Sequence, residues 1–525
     1  MESLELLIGL LAAVAVVVRL AGRTTIPEPV LLVLAGLAVA LVPGLPEVEL
    51  DPELTLALFL PPLLYWAALH TDLQDLRDNL RPIALLAVGL VVVTTAAVAA
   101  LAHAVFGLPL AVAVVLGAIV SPPDPVAATA VCGRLGLPRR MVTILEGEGL
   151  LNDATALVLY RVAVAAAVSG TFSIGRARVE LAVAGVGGTA VGLTVGLAGS
   201  RVLRRVSEAP VENTVKLLLP YVAWLAAERL HVSGVLAVLA CGLLMTRHWG
   251  SISSGARLQA RQLWDWLVFV LEGLSFVLIG VQLRTVVEGI EGRSVADLAL
   301  AALALNLLVI VVRLAWVYPA SWLPRLSARV RERDPFPGWG VATVIGWAGM
   351  RGVVSLALAL AIPTRVEGGG PFPDRNLVVF LSFSVIVVTL VGQGLTLPLV
   401  IRWLGVGADD EGAAGDGRRA LARLSEVALD HLDGLDPGGD GIPEEVVERL
   451  RERYRARLAH LDQQAGDDQP DSGRAFAELV HDLLGVQREE LRRLRERGVV
   501  TPEVARRLDH DLDAEEARLE RERQD

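Results

Sequence analysis

Asn152 and Asp153 stand side by side within an apolar stretch that runs from residue 141 to residue 168. A carboxylate is costly inside a bilayer, so an acid at this depth is a candidate functional group, with a paired structural ion as the competing interpretation. Such a group binds a hard cation when ionised and can instead hold a proton when it is well buried. The neighbouring amide can hydrogen-bond to backbone without adding a second charge. The pair therefore predicts cation and proton binding at Asp153.

The preceding apolar stretch is interrupted by three prolines, Pro122, Pro123 and Pro125, with Asp124 between them. Proline cannot continue a helix, so the helix must break here. An extended segment in mid-membrane is tolerated where protein buries it or where it lines a cavity, as in transporters with discontinuous helices. Asp124 would then neutralise the positive end of the half-helix that follows. A simple proline kink capped by Asp124 is the alternative.

Other ionisable residues also fall within apolar stretches and are secondary candidates. The acids are Glu146, Glu148 and Glu272, and the bases deep enough to partner an acid are Arg161, Arg313 and Arg351. For Glu272 and Arg313, a structural ion pair is at least as good an interpretation as a transport role.

These residues sit in a chain of 525 residues that is 53% hydrophobic, with a mean hydropathy of +0.54. Its apolar runs are continuous rather than alternating, which predicts membrane-spanning helices and not barrel strands. We predict an all-α integral membrane fold with about 13 spans, at residues 3–21, 27–43, 52–69, 82–106, 109–132, 141–168, 178–203, 212–229, 232–247, 262–285, 296–322, 339–362 and 374–403.

Charge is distributed unevenly, which predicts both topology and domains. The loops after odd-numbered spans, with the end of the last span, hold eighteen arginines, against seven in the loops after even-numbered spans. The positive-inside rule then places the N-terminus outside and the C-terminus in the cytoplasm. From Ala408 onward the chain has 31 acids and 19 arginines in charged helical stretches. We predict a membrane domain at 1–404 and a soluble, regulatory helical tail at 405–525.

Taken together, four motifs resemble those of the monovalent cation/proton antiporter superfamily, in its electroneutral Na+/H+ exchanger branch. The similarity covers roughly residues 1 to 404 and rests on Asp124-Pro125-Val126, on Glu148 ahead of Asn152-Asp153, on Phe276-Val277-Leu278-Ile279-Gly280, and on Gly349-Met350-Arg351-Gly352-Val353-Val354.

The resemblance implies an inverted repeat in which the discontinuous spans 5 and 12 cross. It implies that Asp153 is the shared cation and proton site, and that Asn152 and Asp124 hold the unwound helices. It further implies that Glu148 pairs with Arg351 and that the protein is a homodimer. The predicted ion- and proton-binding residues are therefore Asp153, which is also the cation ligand, together with Asn152, Asp124 and Pro123. Gly349 and Gly352, which flank Arg351, would permit the second break.

The implied activity is exchange of Na+, or of Li+ or K+, for H+ across the plasma membrane, one for one and without a cofactor or nucleic acid. Gly149 stands where relatives commonly have Ser, which leaves a K+/H+ antiporter of the same fold open. A cation channel is a more remote alternative, because a single deep carboxylate favours alternating binding over a continuous pore. An intramembrane hydrolase is disfavoured, since the sequence has no His-Glu-x-x-His or Gly-x-Ser-x-Gly motif.

Overall fold

A computed structural model of the chain describes most of the membrane domain and part of the tail. The described residues are 2–24, 26–42, 52–71, 73–135, 137–170, 174–206, 208–246, 254–282, 286–287, 294–334, 336–367, 369–406, 410–434, 444–464, 486–487, 490 and 493.

The fold of these residues is helical, without a β-strand in the described part of the chain. The first half contains α1 (Glu2–Ala21), α2 (Glu28–Ala40), α3 (Pro52–His70), α4 (Leu73–Asp78), α5 (Leu80–Ala84), a π-helical turn (Leu85–Leu90), α6 (Val91–Ala104), α7 (Leu110–Val120), α8 (Pro125–Arg134), α9 (Arg139–Ser169) and α10 (Ile174–Leu203). The second half contains α11 (Ala209–Arg229), α12 (Gly234–Thr246), α13 (Ser254–Val281), α14 (Val295–Trp322), a 3-10 turn (Leu323–Leu326), α15 (Ala328–Arg333), α16 (Trp339–Trp347), α17 (Val353–Leu360), α18 (Arg375–Val387), a second π-helical turn (Val388–Gln393) and α19 (Gly394–Leu404). The tail contributes α20 (Asp410–Asp433) and α21 (Glu444–Gln464).

Each of the thirteen predicted spans coincides with one of these helices or with a consecutive set of them. Seven helical stretches are long and apolar enough to cross a membrane, namely Leu80–Ala104, Leu110–Cys132, Arg140–Ser169, Ala182–Leu203, Gln259–Val281, Val295–Leu326 and Arg375–Leu404. Four shorter apolar helices accompany them. The all-helical membrane fold is thus confirmed, and the full number of crossings stays a prediction.

Two of the predicted spans, 5 and 12, are interrupted by non-helical chain, as expected. The first break, residues 121–124, separates α7 from α8, and its prolines explain why the helix stops there. The second break, residues 348–352, separates α16 from α17 and contains no proline.

The membrane helices pack in two groups that share one hydrophobic core. One group contains α1 to α3 and α10 to α13, and the other contains α5 to α9, α14 and α16 to α19. Both breaks belong to the second group, where α9 lies against α7, α8, α16 and α17.

The chain divides into two compact units, Met1–Ala408 and Asp409–Asp525. That division lies four residues after the predicted boundary at 404/405. Within the second unit, α20 packs against α21, and Arg451 donates hydrogen bonds to Glu448 and to the backbone carbonyl of Leu432.

A cluster of arginines around Asp334 joins the ends of three helical segments in the second group. Arg81 of α5 approaches Asp334 at 2.5 Å and Arg325 of the 3-10 turn at 2.7 Å, and Arg140 of α9 donates to the same carboxylate. Arg140 also donates to the buried Asn79 side chain at 3.0 Å. Burial alone would raise the pKa of Asp334, but the hydrogen bonds and charges of Arg140 and Arg325 outweigh it, so the pKa is lowered.

We predict that Asp334→Asn destabilises the protein at neutral pH by about 1.5–3 kcal/mol, the range for hydrogen bonds to charged groups. A carboxylate with a lowered folded-state pKa stabilises the protein above its unfolded-state pKa, and this stabilisation is lost as pH falls through the folded-state value. The difference in the free energy of unfolding between the wild type and the variant should therefore be largest at pH 7 and become smaller below about pH 4. Unfolding in detergent at several pH values measures it.

Asp78→Asn, which alters an exposed carboxylate of α4, is the matched control and should change stability little at any pH. An Asp334→Asn protein as stable as the wild type at pH 7 would show that the cluster is not a stabilising junction.

Candidate functional site

The two breaks contact each other directly through their backbones. The backbone N–H of Asp124, in the first break, donates to the carbonyl oxygen of Met350, in the second, at 2.6 Å. The Asp124 side chain accepts from the Val126 N–H at 2.9 Å and so caps α8. A Cβ at Gly352 would overlap the Asp124 carboxylate, so only glycine allows this approach. One carboxylate therefore lies at the start of α8 and against the start of α17.

Arg351 uses its guanidinium to satisfy carbonyl oxygens at the breaks. Its Nε donates at 3.0 Å to the carbonyl of Val120, the last residue of α7, and its terminal nitrogen donates to the carbonyl of Gly349. Arg351 is 1% exposed. A cation is favourable at this position because the C-terminal end of a helix carries partial negative charge.

Asn152 ties α9 to the first break, as predicted from its neutral amide. Its Nδ2 donates at 2.7 Å to the carbonyl of Pro123, and both residues are buried. Gly149, one turn earlier, faces the ring of Pro125, which a Cβ would overlap. The absence of a side chain at Gly149 therefore lets α9 approach α8 closely.

Asp153, next to Asn152, lies 8% exposed and close enough to Asp124 for their charges to interact. Within the described part of the chain, no group donates a hydrogen bond to its carboxylate and no basic residue forms an ion pair with it. The neighbouring Asn152 also keeps its Oδ1 without a partner there. Asp153 is thus a buried acid next to the residue that binds the first break, and the first break is in turn bonded to the second.

Glu148 has a different partner from the one that the sequence predicted. Both of its oxygens accept from Arg313 of α14, at 2.6 and 2.9 Å, in a pair that is 1–2% exposed. The predicted Glu148–Arg351 pair is wrong, because Arg351 is engaged with backbone carbonyls. A pairing of Arg313 with Glu272 is also wrong for this structure. Arg313 additionally donates to the carbonyl of Ile345 near the end of α16, at 3.1 and 3.3 Å.

Among the described residues, the carboxylates of the two remaining acids take part in none of these hydrogen bonds or ion pairs. Glu272 of α13 is half-buried, in electrostatic range of Asp124, and its backbone carbonyl accepts from Ser275. Glu146 lies on α9 but is exposed, so it does not join the buried group.

The buried charges of the second group of helices are balanced when Asp153 is neutral. Glu148 and Arg313 neutralise each other, and Asp124 and Arg351 carry opposite charges at the two breaks. An ionised Asp153 adds one negative charge that no basic side chain pairs with in the described residues.

Residues 9–403 match the family model described as "Sodium/hydrogen exchanger, transmembrane". The chain belongs to this family. It is 37% identical to a protein of Mycobacterium bovis described as an uncharacterized Na+/H+ exchanger, over 98% of this chain and 96% of that protein. A sodium, potassium, lithium and rubidium/H+ antiporter of Bacillus subtilis is 34% identical, over 71% of this chain and 58% of that protein.

Among solved structures, the fold is similar to that of the sodium proton antiporter MjNhaP1 from Methanocaldococcus jannaschii. The TM-score is 0.59 at 19% identity, and the match covers 77% of this chain and 100% of that one. The antiporter fold is confirmed by this likeness, and the family is one of transporters.

We predict that Glu148→Gln and Arg313→Gln each destabilise the protein by about 3–5 kcal/mol, because each leaves an unpaired buried charge. The double variant should lose less than the sum of the two, since both charges are gone. Unfolding free energies for the four proteins of this cycle give the coupling energy.

The same cycle with Arg351→Gln in place of Arg313→Gln is the control and should give a smaller coupling. A larger coupling of Glu148 to Arg351 than to Arg313 would contradict the pairing.

Proposed function

We propose that this protein exchanges Na+ for H+ across the membrane by binding the two ions in turn at Asp153. The observation that carries the proposal is a buried carboxylate that has no partner in the described residues and directly follows Asn152, which binds the first break. A hard monovalent cation is held well by carboxylate and carbonyl oxygens. Asp153 supplies the charge, and backbone carbonyls, Asn152 Oδ1 and water complete the shell.

Exchange follows from competition for this one carboxylate. The cation and the proton exclude each other at Asp153, so each half-cycle carries one of them, and movement of the second helix group against the first exposes the site to alternate sides. Both loaded forms have the same charge, because Asp124, Glu148, Arg313 and Arg351 keep theirs throughout. We therefore propose one-for-one, electroneutral exchange.

We propose Na+ as the main transported cation, with Li+ and K+ as further substrates. Gly149 has no hydroxyl to contribute, so the site offers few side-chain oxygens to fix the size of the ion. The name of the Bacillus subtilis relative, with sodium, potassium, lithium and rubidium, supports a broad range. A K+/H+ antiporter is the second candidate on the same ground.

We further propose a homodimer in the plasma membrane, with the N-terminus outside and the C-terminus cytoplasmic. The arginine distribution supports this orientation. The unit Asp409–Asp525, acidic and separate from the membrane unit, suits a regulatory role. The candidate site residues all precede it.

We predict that Asp153→Asn abolishes cation-driven proton movement in proteoliposomes, because an amide neither exchanges a proton in this pH range nor offers a charge to the cation. In the wild type, the apparent affinity for Na+ should fall as pH drops, since protons then occupy Asp153 first. Proton flux driven by Na+, Li+, K+ or Rb+ gradients at several pH values measures both effects.

Glu146→Gln removes an exposed carboxylate from the same helix and is the matched control, with activity expected near that of the wild type. Exchange at the wild-type rate by a correctly inserted Asp153→Asn protein would contradict the proposal.

A further inference from the structure

One hydroxyl of the last membrane-spanning stretch holds the second break by its backbone. Thr389 lies in the π-helical turn Val388–Gln393 and is fully buried. Its Oγ1 accepts from the backbone N–H of Arg351 at 3.1 Å and donates to the carbonyl of Val385 at 2.7 Å. The break has no helical partner for this N–H, so the threonine supplies one.

A second hydroxyl of the same membrane-spanning stretch reaches the chain just before the break. Thr396, seven residues after Thr389, accepts from the indole N–H of Trp347 at 2.9 Å. Trp347 is the last residue of α16. Between the two threonines lies Gln393, which is 2% exposed and whose amide atoms have no hydrogen-bond partner in the described residues. The last membrane-spanning stretch thus contacts the chain at the second break and just before it through two hydroxyl groups.

The Thr389 bond and the contact between the breaks share one peptide group, the amide that joins Met350 to Arg351. Arg351 directly follows Met350, whose carbonyl accepts from the Asp124 N–H at 2.6 Å. The guanidinium of Arg351 reaches back to the carbonyl of Val120. A shift of the backbone at Arg351 would therefore move both Asp124 and the end of α7.

We propose that Thr389 is a positioning residue for cation binding, acting through the Arg351 backbone on the two breaks beside Asp153. The inference rests on the proposed function of Asp153. A cation needs several oxygens at fixed distances, whereas a proton needs only the carboxylate. Loosening the second break therefore weakens cation binding more than proton binding.

Thr389→Val keeps the shape of the side chain and removes the hydrogen-bond acceptor. In proteoliposomes, it should raise the apparent KM for Na+ by about ten-fold, the size expected for one lost hydrogen bond with a buried donor left unpaired. Because Na+ then competes less well with protons, the pH of maximal exchange should move upward. Thr389→Ser keeps the acceptor and should restore both values. A purely structural role would lower the maximal rate and the melting temperature without these shifts.

Ser382→Ala is the matched control. It removes a buried hydroxyl from the same membrane-spanning stretch, and this hydroxyl has no hydrogen-bond partner in the described residues. It should leave the KM and the pH profile unchanged. Thr396→Val, at a half-buried position, should also raise the KM for Na+. It replaces Thr389→Val as the test variant if Thr389→Val does not fold. The inference would be overturned by a wild-type KM in a folded Thr389→Val protein, or by a Thr389→Ser protein that does not regain the wild-type KM. If Thr389→Val does not fold, an unchanged KM in Thr396→Val would overturn it.

The same preparation separates this inference from the proposed function. If wild-type exchange is lost in Asp153→Asn while Thr389→Val behaves as the wild type, only the role of Thr389 is wrong. If Asp153→Asn still exchanges ions, the site itself is wrong, and the inference that rests on it is wrong too.

Discussion

The structure depends on satisfying unwound backbone in a medium that offers no water. Two helices stop inside the membrane domain, at residues 121–124 and 348–352, and each stop leaves N–H and C=O groups without helical partners. Most of the polar contacts described at the site supply hydrogen-bond partners or opposite charges to these helix ends. Asp124 caps one helix start and lies against another, while Arg351 and Arg313 donate to carbonyls near the two helix ends. The dipoles of four half-helices thereby meet charges of the opposite sign.

This use of the charged residues determines what is left for ion chemistry. Glu148 is taken by Arg313, and Asp124 is engaged with the helix starts. Asn152 is bound to the first break through its amide nitrogen. Of Asp124, Glu148 and Asp153, only Asp153 keeps a carboxylate that is not bonded within the described residues, and it directly follows Asn152, which binds the first break. The same contacts that allow the helices to break thus leave the Asp153 carboxylate unbonded within the described residues, which is why we propose it as the exchanging acid.

Much of this arrangement could be predicted from the sequence because its signals are local. Three prolines predict the first break wherever it packs, and Asp153 stands out because an acid in an apolar span is expensive. The partner of Glu148 could not be predicted, since Arg313 is 165 residues away and Arg351 has the same charge at a similar depth. The contact of Thr389 with Arg351 could not be predicted either, because the hydroxyl of a threonine in an apolar helix most often hydrogen-bonds to a backbone carbonyl of its own helix.

The most direct test of the account is whether exchange by the wild-type protein responds to membrane potential. In proteoliposomes, the potential is clamped with a K+ ionophore at different K+ gradients, and Na+-driven proton flux is measured, with a K+-free counterion control because K+ is a candidate substrate. A single exchangeable carboxylate predicts a flux that is independent of the imposed potential. A cycle that moved one net charge would gain or lose about 2.3 kcal/mol per 100 mV. A flux that changes steeply with potential would mean that a second acid, such as Asp124 or Glu272, exchanges ions as well, and would contradict the single-site account.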